Sequence, residues 1–240
     1  MLVDIVSTGQ PPGLRIPRRT MPRANNPASR TSAFRLMSAA ERLIGEHGYH
    51  NVSLVQIARA AGQANKYAVQ YHFGTKENLV RGIFDDRLAR IAARRRQLLD
   101  ALDTRGHASV RELVHAFIYP VYEEVDDRGF HTYARFAERM LETDLPENTW
   151  FSSSHFGTTM EIRNRLSDLT PHLPSEEFSI RYRLISALLI QSLSLADRVR
   201  VETRPPAAET DASGGQILER AIDIAANALV MGTTPTGETL

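Results

Sequence analysis

The chain of 240 residues contains no cysteine and one tryptophan, and its net charge is only +1. Without cysteine there is neither a disulfide framework nor a thiolate metal site. No apolar run approaches the length needed to cross a bilayer. The N-terminus carries Asp4 and early prolines and glycines, not the charged start and continuous apolar stretch of a secretory leader, so a cytoplasmic location is expected. Glycine-rich phosphate loops, zinc-type His-Glu pairings and nucleophile elbows are missing from any suitable context. The eight histidines are scattered without ligand-like pairing. The acidic cluster Glu123, Glu124, Asp126 and Asp127 invites a hard cation, but consecutive acids on a helix point to different sides and face water. Neither an enzyme nor a cofactor is expected.

What is present is unevenly distributed. Residues 1–100 hold 16 Lys or Arg against 7 Asp or Glu, and the remaining 140 residues hold 13 against 21. A basic half joined to an acidic half suits a chain that binds nucleic acid at one end. At 42% hydrophobic residues the chain can also bury a sizeable core. Residues 1–29 carry five prolines with Arg15, Arg18, Arg19 and Arg23 and no helical periodicity, which reads as a disordered basic arm. Whether those arginines reach DNA or merely decorate a tail stays open.

The stretch SLVQIARAAGQANKYAVQYHFGTKEN, residues 53–78, is the most informative. Ser53 is a good N-cap for a helix whose apolar positions Leu54, Ile57, Ala58 and Ala61 fall at helical spacing. Gly62 is suited to end it. A second helix is expected to restart at Asn65 or a neighbour and to carry Lys66, Tyr67, Gln70 and Tyr71, side chains fit for base edges and phosphates. Phe73 closes it, Gly74 breaks it, and Thr75 caps the next helix. Upstream, Ala33, Leu36, Met37, Ala40, Leu43 and Ile44 recur at helical spacing before Gly48. The three helices predict a core of Leu36, Ala40, Ile44, Tyr49, Val52, Ile57, Ala61, Val69 and Phe73. A compact helix pair of this kind can push its second member into the DNA major groove.

Residues 31–79 resemble the DNA-binding domain of TetR-family transcriptional regulators. The run GYHNVSLVQIARAAG is similar to that family's passage from helix one to helix two, and YHFGTKENLV to its strongest signature. Between Gly62 and Tyr71 this chain has one residue more than the commonest family pattern. The resemblance implies a DNA-facing set of Ser53, Asn65, Lys66, Tyr67, Gln70, Tyr71, His72 and Lys76, with His72 and Lys76 touching phosphate. Ala68 falls where many members place a hydroxyl. From the residues alone, Tyr71 packed on the preceding helix and lysines that merely face water remain alternatives.

Helical patterning continues to the C-terminus. One long helix runs from Thr75 to about Asp103, another from Ser109 with Pro120 as an irregularity, and others span about His131–Glu142, a stretch ending near Leu169, residues 176–200 and residues 216–231. The fold class is therefore all-α, with an N-terminal three-helix helix-turn-helix domain and a larger C-terminal helical bundle, about nine helices altogether. Expected domains are the arm at 1–29, the DNA-binding domain at 30–77, an effector-binding and dimerisation domain at 78–232, and a tail at 233–240. In helix 176–200 the stripe is Ile180, Leu184, Ala187, Leu188, Gln191, Leu195 and Ala196. In helix 216–231 it is Ile217, Ala221, Ile224, Ala225, Ala228 and Leu229. Either stripe can serve a dimer or the monomer's own core.

The resemblance implies a homodimer through these last two helices, reading a palindromic operator. It further implies a repressor released by a small-molecule effector. Phe117, Tyr122, Tyr133, Phe136, Phe151, Phe156 and Met160 are the candidate ligand-binding side chains, and equally serve as ordinary core. The competing reading is a helical DNA-architectural or protein-interaction protein with no gating ligand.

Overall fold

A computed structural model describes residues 27–144, 156–203 and 212–232, with side chains from 30–144, 156–202 and 214–232. Residues 1–26 of the arm, the tail at 233–240 and Phe151 lie outside the described residues, while residues 27–29, expected in the arm, open the first helix. Within them every regular element is an α-helix: α1 Pro27–His47, α2 Leu54–Ala60, α3 Ala68–Phe73, α4 Lys76–Thr104, α5 Val110–Tyr122, α6 Thr132–Leu141, α7 Gly157–Leu169, α8 Ser175–Thr203 and α9 Ala212–Val230. None of them is long and apolar enough to cross a membrane.

The helices sort into two compact units. One comprises the chain up to Arg90 and the segment from Val125 through α6; the other comprises Ile91–Glu124 and everything described from Phe156 onward. The division falls inside α4 and places α6 with the helix-turn-helix because α1 packs chiefly on α6. At Gly45 of α1 a Cβ would stand 3.2 Å from the backbone nitrogen of Phe136, so the two helices approach as closely as a glycine permits. Phe84, Tyr133 and Phe136 cluster beside this contact, with the Phe84 and Phe136 rings 5.1 Å apart. A buried polar knot ties three helices of this unit together. Glu41 of α1, 3% exposed, accepts from Arg87 Nε and Nη2 of α4, both at 2.8 Å, and from Thr132 Oγ1 of α6 at 2.6 Å. A paired and fully hydrogen-bonded charge is the form in which burial is tolerated.

In the second unit α9 packs on α8 and α5, and α5 also packs on α7. Ser109 starts α5 through a capping box with Glu112. Pro120 sits inside α5 and the helix ends two residues later at Tyr122; proline supplies no amide hydrogen for the carbonyl one turn earlier, which weakens this last turn. The predicted start of the last helix at Gln216 is late. α9 begins at Ala212 and takes Gly214 and Gly215 into its first turns, where Gly215 lies against the Tyr122 hydroxyl. Tertiary packing here outweighs glycine's poor helix propensity. At the other end of α9, Arg181 of α8 donates to the carbonyls of Ala228 at 2.8 Å and Met231 at 2.5 Å. The Ala228 carbonyl belongs to the last turn of the helix and that of Met231 lies just past it, where a cation suits the dipole.

Candidate nucleic-acid interface

The nine residues predicted as the core of the N-terminal three-helix unit are all buried, none more than 9% exposed. That core fixes which faces of α2 and α3 look outward. Ser53 caps α2: its hydroxyl accepts from the Gln56 amide at 3.2 Å while Gln56 Oε1 accepts from the Ser53 amide at 2.7 Å. Ile57 and Ala58 face inward. The chain then reverses at Gly62, whose φ of +68° is disfavoured for residues with a Cβ. The Gln63 amide returns to the Ala58 carbonyl at 3.0 Å, and the Gln63 side chain accepts from Ser32 of α1 at 3.0 Å. This bond docks the turn on the first helix.

The recognition helix starts later than its sequence suggests. Asn65 Oδ1 accepts from the Tyr67 amide at 2.9 Å, an Asx turn that holds the chain outside helical geometry. α3 therefore opens at Ala68, with Tyr67 as its N-cap residue. Asn65, Lys66 and Tyr67 stand on the approach to the helix rather than along it. Ala68 is buried with Val69 and Phe73, which removes it from the outward face.

That outward face is built from Tyr67, Gln70 and Tyr71, three and four residues apart and thus on one side of the helix. Tyr71 is 76% exposed and Tyr67 57% exposed, so the packed alternative for Tyr71 does not hold. Lys66 extends the patch, its ammonium 5.0 Å from the centre of the Tyr67 ring. His72 is half-buried and edge-on to Tyr71 at 5.1 Å. Burial lowers its pKa from the ordinary value, so at neutral pH it offers a neutral ring and no cation. Ser53 is exposed, but its hydroxyl is engaged in the cap.

In the DNA-free chain the Lys76 side chain, for which the resemblance implies a phosphate contact, is engaged with the protein itself. Its ammonium donates to the carbonyls of Tyr49 and Val52 and lies 4.1 Å from the centre of the Tyr49 ring. Burial lowers its pKa. Next to it the Tyr49 hydroxyl donates to Glu77 at 2.8 Å, and burial together with that carboxylate raises the phenol's pKa. Lys76 and Glu77 thus clasp the loop between α1 and α2 to the start of α4. A cation in the first turn of a helix opposes the macrodipole. This is the sequence-level sign that Lys76 has partners of its own.

The ligand candidates are divided between the two units. Tyr133 and Phe136 are core residues of the unit that carries the reader, packed with Phe84. Phe117, Tyr122, Phe156 and Met160 belong to the second unit, where Phe117 meets Tyr182 at 5.8 Å between ring centres and Tyr122 meets Tyr119 at 5.9 Å. The acidic cluster serves local structure: Glu123 accepts from Arg94 Nε at 2.8 Å, and Asp126 accepts from the amides of Arg128 and Phe130, both at 2.9 Å.

Residues 36–83, the reader just described, match the family model of bacterial regulatory proteins, tetR family, and residues 115–228 match that of the tetracyclin repressor-like C-terminal domain. The chain belongs to the TetR family. It is a DNA-binding transcription regulator. Its fold is similar to that of a transcriptional regulator from Rhodococcus sp. Rha1, at 24% identity and a TM-score of 0.50, with 83% of this chain and 96% of that one covered. A TetR family regulator from Marinobacter aquaeolei VT8 gives a TM-score of 0.54 at 13% identity, over 84% and 96% of the two chains. No curated protein matches the sequence significantly. At these identities the likeness to solved structures extends to the fold, while the DNA-facing chemistry of this TetR-family member rests on its own side chains.

Proposed function

We propose that the chain is a homodimeric cytoplasmic repressor that grips a palindromic operator with two copies of the α3 face and is released by a small-molecule effector. The observation that carries this reading is the pairing of two unlike exposed surfaces in one TetR-family chain. One is the hydrogen-bonding patch of Lys66, Tyr67, Gln70 and Tyr71. The other is an apolar stripe on α8, with Ile180 47%, Leu184 65%, Leu188 37% and Leu195 42% exposed.

The stripe supports dimerisation because a separate face of α8 already supplies the core: Phe178, Tyr182, Ile185, Leu189, Leu193 and Ala196 are buried. A helix apolar on two sides needs two partners. Beside it Leu188, Leu195, Ile217 and Ile224 line a groove between α8 and α9 of about 560 Å³, and exposed patches of this kind mark association surfaces. A twofold axis through that face turns one short reader into a pair whose separation selects half-site spacing. An effector favouring the wrongly spaced dimer then lowers DNA affinity by the same factor that DNA lowers effector affinity.

Selection of bound fragments from genomic DNA with the purified protein tests the reading. The expected result is one palindromic motif bound far more tightly than random duplex at equal salt. Equal affinity for every duplex, abolished by salt, would instead point to an ungated architectural protein.

A further inference from the structure

The second unit contains a guanidinium and two hydroxyls that its own packing leaves incompletely satisfied. Arg163 of α7 lies over the rings of Phe178 and Tyr182, at 5.4 and 5.9 Å from their centres. It donates to Ser179 Oγ at 3.2 Å. Among the described residues its Nε hydrogen is buried without an acceptor, as are the hydroxyls of Tyr182 and Thr158. Tyr182 is 2% exposed, and burial pushes its phenol up to about 12, against the pull of Arg95 and Arg163. Arg95, 6% exposed, is held nearby through the Phe117 carbonyl at 2.7 and 3.0 Å and Thr159 Oγ1 at 2.7 Å, with its guanidinium over the Phe117 ring.

Buried donors almost always find acceptors, and leaving one unmet is costly. An arginine meets a carboxylate with paired, charge-assisted bonds, and its planar face stacks on aromatics as Arg163 does on Phe178 and Tyr182. Unmatched donors on Arg163 and Tyr182, the Arg163 charge and an aromatic wall call for a ligand with an anionic end and an apolar body.

We propose that the effector is a small organic carboxylate, its carboxylate held by Arg163 and the Tyr182 hydroxyl and its apolar part lying against Phe117 and Phe178. This rests on the ligand-responsive reading above and specifies the class of ligand. Arg163 is the charge partner; Tyr182 adds one donor.

Calorimetric titration of the full chain with octanoate and benzoate, each beside its neutral amide, tests it. At least one acid should bind about tenfold or more tightly than its amide, and Arg163→Gln should remove that preference by weakening the acid far more than the amide. Tyr182→Phe should weaken the acid several-fold and leave the thermal midpoint of the ligand-free protein equal or higher, since it deletes an unmatched buried hydroxyl. A phenol that merely supported the fold would lower that midpoint. Acid and amide binding equally, a preference that survives Arg163→Gln, or no saturable binding by either acid would overturn the proposal. Acid that binds through Arg163 without changing DNA affinity would retain the site and defeat effector release instead. Release by the amides alone would do the reverse.

Discussion

Tyr71 on α3 is 76% exposed and Leu184 on α8 is 65% exposed, so both faces leave large side chains in water, but with different chemistry. The α3 face carries a phenol, an amide and an ammonium, each able to hydrogen-bond water or a base edge. The α8 face carries hydrocarbon, which gains only by leaving water. The first surface is stable alone and suited to a polar, reversible partner. The second is incomplete until another apolar surface covers it. Exposure alone therefore does not identify a partner; the exposed atoms do.

The largest expected effect comes from charging the apolar face. Leu184→Glu should leave the monomer's melting transition nearly unchanged, because the side chain already faces water. In a dimer it places an uncompensated charge in the interface, at on the order of 3–5 kcal/mol. Sedimentation should then report monomer, and operator affinity should fall by about a hundredfold or more. A dimer that persists would remove the proposed interface and reduce the contrast to one of composition. Next in size is Glu41→Gln, which removes the buried negative charge that Arg87 and Thr132 meet. Breaking that buried pair should cost about 3–5 kcal/mol in urea unfolding, in the unit that carries the reader and away from either surface.

Much of this contrast was readable in the residues themselves. Period and caps locate the helices, and the reader's core from Leu36 to Phe73 follows from spacing, because an apolar period records burial directly. The stripe from Ile180 to Leu195 was also visible, but not that it faces outward: two apolar faces on one helix look alike until one of them, Phe178 to Ala196, is seen to be filled. Polar residues were harder. Lys76 lies in a DNA-binding signature, yet its ammonium is taken by two carbonyls from a loop more than twenty residues earlier, a contact that no local pattern encodes. Asn65 misled for the opposite reason. Its side chain bonds to the backbone two residues on and delays the helix by competing with it. Composition groups Tyr133 and Phe136 with Phe117, while packing places them in separate units.

The two lysines of the reader sharpen the distinction further. Lys76→Met removes both carbonyl contacts and should destabilise the reader by about 1–3 kcal/mol, seen as an earlier melting transition with DNA absent. Lys66→Ala should leave stability within about 0.5 kcal/mol and lower the slope of log affinity against log salt by about 1. An unchanged melt for Lys76→Met together with a lower salt slope would return Lys76 to the phosphate role. Tyr71→Ala, in the same assays, should cost about 1–3 kcal/mol of binding to the selected site and nothing in folding. If it unfolds the protein, the ring is not the free side chain that its exposure indicates.

The smallest effect separates the two units by pH. Each has a capping box, Ser53 with Gln56 and Ser109 with Glu112, identical in geometry and different in one atom. Gln56 cannot titrate. Glu112 can, and the Ser109 amide first, then the Ser109 hydroxyl and Arg105, hold its carboxyl well below the ordinary 4.5, at about 2. A carboxyl with a depressed folded-state pKa stabilises above its unfolded value and loses that contribution as pH falls through the folded one. Amide exchange at the start of α5 should therefore speed up, relative to Glu112→Gln, between pH 4.5 and about 2, while the start of α2 shows no such step. The change should be modest because Glu112 is largely solvated and screened. Equal acid loosening at both helix starts would mean that the carboxylate contributes nothing the amide does not.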